Sequence, residues 1–263
     1  MALIELKFFS QTLGMQTEAY VVIPQKSTKG EIGIKGKSKD KEYKCVYLLH
    51  GLSDDHSIWL RRTSIERYAT DYGACIVMPC GARSFYTDMK YGMKYFSYIT
   101  EELPSIVSEF LKVSNKREDT YIAGLSMGGY AALKLALRNP ERFGGAAGLS
   151  STIDPLHYAL SPELGGELCI KDAPAIFGPE LKLKDEDNLF ELAKKCAQLP
   201  EEKRPRIISC VGTEDELYDE HIEFKEAMEK LPIDFTHAEW AGKHDWNFWE
   251  ESIRVGVNHL LKK

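Results

Sequence analysis

Three stretches of this chain carry side chains that together could activate an alcohol: a serine among glycines, an acidic turn, and a histidine in a glycine-bearing loop. The serine is Ser126, in Gly124-Leu125-Ser126-Met127-Gly128-Gly129-Tyr130. An apolar run, Tyr121-Ile122-Ala123, precedes it, and a helix-forming run, Ala131 to Leu137, follows. The pattern reads strand, sharp turn, helix. A serine at such a turn takes a strained backbone conformation that exposes its hydroxyl, and small neighbours let strand and helix approach. The amide of Met127 opens the helix and points where an oxyanion would form. Such a serine needs a base to take its proton and an acid to orient that base. The acidic turn Gly212-Thr213-Glu214-Asp215-Glu216-Leu217-Tyr218-Asp219 follows an apolar run. Asp215 is chosen because it follows closely on Gly212 and leaves Glu216 and Asp219 for the start of the next helix. His244, in Gly242-Lys243-His244-Asp245-Trp246, follows the last strand-like run and is chosen as the base. His237 falls inside the preceding strand pattern, His259 lies on a helix near the chain end, and His157 and His221 come too early or beside the acid turn. Along the chain the three come in the order Ser, Asp, His.

Loops of this kind hang at the carboxyl ends of strands. Leu3 to Phe9 and Thr17 to Ile23 alternate around Gly14 and predict an antiparallel hairpin at a sheet edge. Cys45 to Leu49 and Ala74 to Met78 are continuous apolar runs, as strands buried on both faces require. Thr63-Ser64-Ile65-Glu66 reads as a capping box for a helix that Gly73 stops. Phe96 to Val113 has helical periodicity, with Pro104 as a kink. Gly145 to Leu149, Arg206 to Val211 and Phe235 to Trp240 are further strands, and helices run on to Lys230 and Lys263. The alternation predicts an α/β fold, a mostly parallel central sheet with helices on both faces. The 263 residues fit one such domain. From Thr152 to Pro205, prolines, short polar segments and one amphipathic helix (Asp187 to Gln198) replace the alternation, which predicts a lid or pocket wall. Lys26 to Lys44 is rich in lysine and glycine and reads as a solvated connection in preference to an anion-binding loop.

His50-Gly51 closes the run Cys45 to Leu49 and would bring the Leu52 amide to the oxyanion as a second donor. Metal ligation by His50, Asp54, Asp55 and His56 is the rival reading, and no further ligand-rich cluster accompanies it. Trp59, Tyr86, Tyr91 and Trp246 are candidate substrate contacts, with packing as the alternative for the first three.

The net charge of −6 argues against a nucleic-acid partner and an anionic membrane surface. No stretch is long and apolar enough to span a membrane, and Met1 to Ser10 lacks the features of a signal peptide. The six cysteines, Cys45, Cys75, Cys80, Cys169, Cys196 and Cys210, form no Cys-x-x-Cys pair, so neither a disulfide framework nor a zinc ribbon is expected. A reducing, cytoplasmic setting is the simplest expectation.

Four segments together resemble the esterase D-type α/β-hydrolases, and within them the bacterial tributyrin-esterase-like carboxylesterases. They are Leu48 to Ser53, Gly124 to Tyr130, Gly212 to Tyr218 and Gly242 to Trp246, and the likeness spans nearly the whole chain. The resemblance implies a triad of Ser126, Asp215 and His244, with no metal or organic cofactor. It also implies hydrolysis of short-chain acyl esters, on small molecules or carbohydrates. Relatives of that group include feruloyl and acetylxylan esterases and S-formylglutathione hydrolases. The last carry a Ser/Asn-Gly-Leu-Thr-Cys-type segment where this chain has His50-Gly51-Leu52-Ser53-Asp54. An acyltransferase or a thioesterase using the same triad is the alternative, and homo-oligomer formation stays open at this stage.

Overall fold

The structure, a computed structural model, describes residues 1–25, 42–164 and 170–262. The Lys- and Gly-rich stretch therefore lies mostly outside the described residues, as does Cys169.

Alternating side chains build β1 (Ala2–Ser10) and β2 (Met15–Ile23), which pair antiparallel from Ala2↔Ile23 to Ser10↔Met15. The five apolar residues of β3 (Cys45–Leu49) and of β4 (Cys75–Pro79) are all buried. β5 (Thr120–Leu125), β6 (Gly145–Leu149), β7 (Arg206–Gly212) and β8 (Phe235–Trp240) complete one eight-stranded sheet in the order β1-β2-β4-β3-β5-β6-β7-β8. β2 meets β4 antiparallel, and every pairing from β4 through β8 is parallel. This is the α/β-hydrolase arrangement that the sequence predicts.

The helices are α1 (Ile58–Arg62), α2 (Ile65–Tyr72), α3 (Tyr95–Ser97), α4 (Leu103–Phe110), α5 (Met127–Arg138), α6 (Pro155–Leu160), α7 (Ala173–Phe177), α8 (Leu189–Ala197), α9 (Tyr218–Met228) and α10 (Trp246–Leu261). The core has two halves, because successive strand residues point to opposite faces. Val46 and Leu48 of β3 pack with Trp59, Ile65, Phe248, Trp249 and Ile253 of α1, α2 and α10. Tyr47 and Leu49 pack on the other side with Met127, Tyr130, Leu156, Ile176, Leu192 and Phe224 of α5 to α9.

Two local expectations are corrected. The capping box at Ser64 does not form: its side chain makes no cap bond, and the Ser64 amide donates instead to Glu250 of α10 at 3.0 Å. The helix expected over Phe96 to Val113 runs instead from Tyr95 to Phe110, with a π-helical turn, Tyr98–Glu102, directly before Pro104, whose missing N–H interrupts the helical ladder there. Glu102 of that turn reaches the β1–β2 turn, accepting bonds from the Ser10 hydroxyl and the Gln11 and Thr12 amides.

Candidate active site

β5 runs into α5 through Ser126, whose backbone (φ 52°, ψ −119°) lies where side chains are rarely found. The geometry is affordable because a side chain at Gly124 would strike the backbone of Gly128, and one at Gly128 would strike the carbonyls of Leu49 and His50. Three backbone bonds hold the strained residue: its N–H donates to Leu149 O at 2.9 Å, and its carbonyl accepts the Tyr130 N–H of α5 at 3.0 Å and the Thr152 N–H at 3.3 Å.

The loops after β7 and β8 are joined at Glu214, whose amide donates to Gly242 O at 2.9 Å. Their side chains meet Ser126. His244 Nδ1 lies 3.1 Å from both carboxylate oxygens of Asp215, and His244 Nε2 lies 3.1 Å from Ser126 Oγ. A carboxylate only accepts, so Nδ1 carries the proton and Nε2 is free to receive one from the hydroxyl. Asp215 is buried, and its Oδ1 also accepts the Leu217 N–H at 2.9 Å. Burial pushes its pKa up. The bond and charge of His244, the Leu217 amide and the Ser150 hydroxyl pull harder, and the net shift is downward.

The β3 loop packs beside the serine: a side chain at Gly51 would press on Leu125 and lie 3.8 Å from Ser126 Cβ. Sequence reasoning assigned His50 only a turn, but its ring organises this loop. His50 Nδ1 donates to Gly51 O at 2.7 Å, and Nε2 accepts the Gly81 N–H at 2.9 Å. Burial lowers its pKa from the ordinary 6.5 to about 4, so the ring is neutral. The bond pins the Gly51 carbonyl, and planarity then fixes the Leu52 N–H on the opposite edge of the same peptide. Both nitrogens being occupied, His50 offers no lone pair to an ion, against the rival metal reading. Among the described residues, Asp215, Glu216 and His244 bring one ligand atom each within 4.8 Å, and these could hold a divalent cation only in place of the His244–Asp215 proton.

The four aromatic candidates part company. Trp59 is fully buried, with Nε1 donating to Leu49 O at 3.1 Å, so it presents no surface to a ligand. Tyr86 is also fully buried; its hydroxyl accepts the His50 N–H at 3.0 Å. Both are corrected from substrate contacts to supports. Trp246 is half-buried and stands edge-on between Trp59 and Trp249, and Trp249 in turn meets the His244 ring edge-on at 5.0 Å. Tyr91 is exposed, and its amide donates to Ala175 O of α7. The rule that buried polar groups find partners was the available signal for His50, which stands directly after the buried strand β3.

The model of the Esterase family matches residues 10–260. This chain belongs to that family. The esterase is 29% identical over 268 residues to an acetyl esterase of Caldicellulosiruptor saccharolyticus, covering 100% of this chain and 99% of the relative. Among solved structures it is similar to the fluorophosphonate-binding serine hydrolase FphF of Staphylococcus aureus, with a TM-score of 0.86 and 28% identity over 100% of this chain and 99% of the other. It is also similar to the S-formylglutathione hydrolase FrmB of Staphylococcus aureus, with a TM-score of 0.81 and 28% identity over 99% of both chains. No helix of the esterase, among the described residues, is long and apolar enough to cross a membrane.

Proposed function

We propose that this esterase is a serine carboxylesterase acting on short acyl (acetyl to butyryl) or hydroxycinnamoyl esters through an acyl-enzyme. The observation that carries the reading is the single imidazole standing 3.1 Å from both Ser126 Oγ and the Asp215 carboxylate. His244 Nε2 takes the hydroxyl proton as Ser126 Oγ bonds to the ester carbonyl carbon. The amides of Met127 and Leu52 receive the negative oxygen. Collapse breaks the bond to the alcohol, which leaves with the proton from His244. Water then gives its proton to the same nitrogen, attacks the acyl group, and frees the acid and Ser126. Asp215 holds the ring in the required tautomer and balances its transient charge. The relative named acetyl esterase, matched along its whole length, supports the short acyl group.

A thioester substrate is the second reading, favoured by the likeness to an S-formylglutathione hydrolase. The segment from Thr152 to Pro205, which holds α6, α7 and α8, is the proposed pocket wall.

Ser126→Ala is expected to reduce p-nitrophenyl acetate turnover by at least roughly 10⁴-fold with the melting temperature kept. Substantial turnover in a folded variant would reject the nucleophile. Rates across acetyl, butyryl, octanoyl, feruloyl and S-formyl substrates, with product analysis in added alcohol, rank ester hydrolysis against thioester hydrolysis and acyl transfer.

A further inference from the structure

The proposed chemistry leaves one buried histidine beside the site unused. His221 lies on α9, fully enclosed. Its Nε2 faces the Ser151 carbonyl at 3.0 Å. A carbonyl oxygen only accepts, so Nε2 carries the proton. Nδ1 is then bare and accepts from the Ser209 hydroxyl of β7 at 2.9 Å. Burial lowers the pKa from the ordinary 6.5 to about 4; Asp215 opposes that shift, while His237 and His244 add to it. The ring is therefore neutral at neutral pH and locked in one tautomer.

What Ser151 belongs to gives the ring its meaning. Residues 149–152 form a strap around the serine turn, since Leu149 O accepts the Ser126 N–H and the Thr152 N–H donates to Ser126 O. The strap is itself strained, with Ser150 at φ 44°. One side is tied to β7 by the Ser150 N–H, which donates to Cys210 O at 2.8 Å. The other side is tied to α9. His221 takes the Ser151 carbonyl, and its neighbour Glu220 accepts the Ile153 and Asp154 amides at 3.1 and 3.5 Å. α9 follows directly on the Asp215 turn. The helix that begins beside the acid thus reaches back to the peptide behind the serine.

We propose that His221 is a positioning residue, whose Nε2–H bond to Ser151 holds the strap against Ser126 and so sets the reach of the serine oxygen to His244. The proposal rests on Ser126 being the nucleophile.

Variants His221→Gln and His221→Asn separate the two ring nitrogens. Gln extends far enough to place an amide N–H near the Nε2 position; Asn reaches only to the Nδ1 position. With p-nitrophenyl acetate, kcat is expected to fall roughly tenfold or more in His221→Asn and in His221→Leu, with KM little changed. His221→Gln is expected to recover most of the loss, and its rate of labelling by a fluorophosphonate should recover with it. Melting temperatures of the Asn and Gln variants should drop alike, which a purely structural role would match with equal kcat values. Equal kcat in folded His221→Asn and His221→Gln overturns the proposal even if the Leu variant fails to fold. Ser126→Ala run alongside separates the two failures. An active Ser126→Ala removes the nucleophile, whereas an inactive one with indifferent His221 variants removes only the role of His221.

Discussion

His50 touches no proposed reacting atom, yet it sets the direction of the peptide proposed to meet the oxyanion. Replacing it with Leu removes the donor to Gly51 O and the acceptor for the Gly81 N–H. The Leu52 amide then loses its fixed aim. A misdirected oxyanion donor typically costs about 10²-fold in turnover. His50→Leu is expected to lower kcat toward that figure with KM nearly unchanged, measured on p-nitrophenyl acetate. A rise in KM alone would place the ring's importance in binding instead. At this scale, Ser126, Asp215 and His244 could be read from the chain because each follows a strand-like run, and the structure brings them together. Trp59 and Tyr86 could not be. Their direction depends on backbone that pattern rules do not supply, including left-handed residues at Ala82, Phe85 and Tyr86.

Between elements, one tie is ionic. Lys134 of α5 is fully buried, and its ammonium donates to Phe85 O at 3.1 Å and Thr87 Oγ1 at 2.7 Å, with Asp187 Oδ1 at 3.4 Å. The Tyr130 hydroxyl of the same helix donates to Asp187 O at 2.6 Å. The helix that begins at Ser126 is thereby stitched to the β4 loop and to the segment between β6 and β7. Burial lowers the Lys134 pKa to about 8, and Asp187 pulls against that. Lys134→Met leaves the buried Asp187 carboxylate only the longer ion pair to Arg138 at 4.0 Å and is expected to cost roughly 3 kcal/mol in urea unfolding. Lys134→Met combined with Asp187→Asn should restore part of it; strictly additive losses would mean the pair is not coupled. The sequence displayed a lysine on a helix, which ordinarily points to water. Likewise Thr63 to Glu66 carried the letters of a capping box, but Glu250, distant in sequence, offers the Ser64 amide a better partner. Local patterns located the elements; long-range contacts decided their ends.

For the molecule as a whole, acid is the expected weakness. His50 and His221 are both buried, and each has its pKa depressed from 6.5 to about 4. The unfolded chain therefore binds more protons between those values. Stability from these groups is complete above about pH 6.5 and is lost as the pH falls toward 4, by roughly 3 kcal/mol per histidine. Urea midpoints at pH 7, 5.5 and 4.5 should decline accordingly, and a flat profile over that range would show that the rings are already charged in the fold. The sheet itself was legible strand by strand, because continuous apolar runs and helical runs alternate. Its order was less so, since β2 pairs with β4 and not with β3.

The serine and the histidine that meet at 3.1 Å are separated by 118 positions. A ribosome therefore delivers the proposed nucleophile long before its proposed base. A nascent chain that extends past β7 through the Asp215 turn carries the proposed nucleophile and its acid, but it has no His244 imidazole to take the proton. On the proposed mechanism, ester hydrolysis therefore requires the loop before α10 to be made and folded against the serine turn.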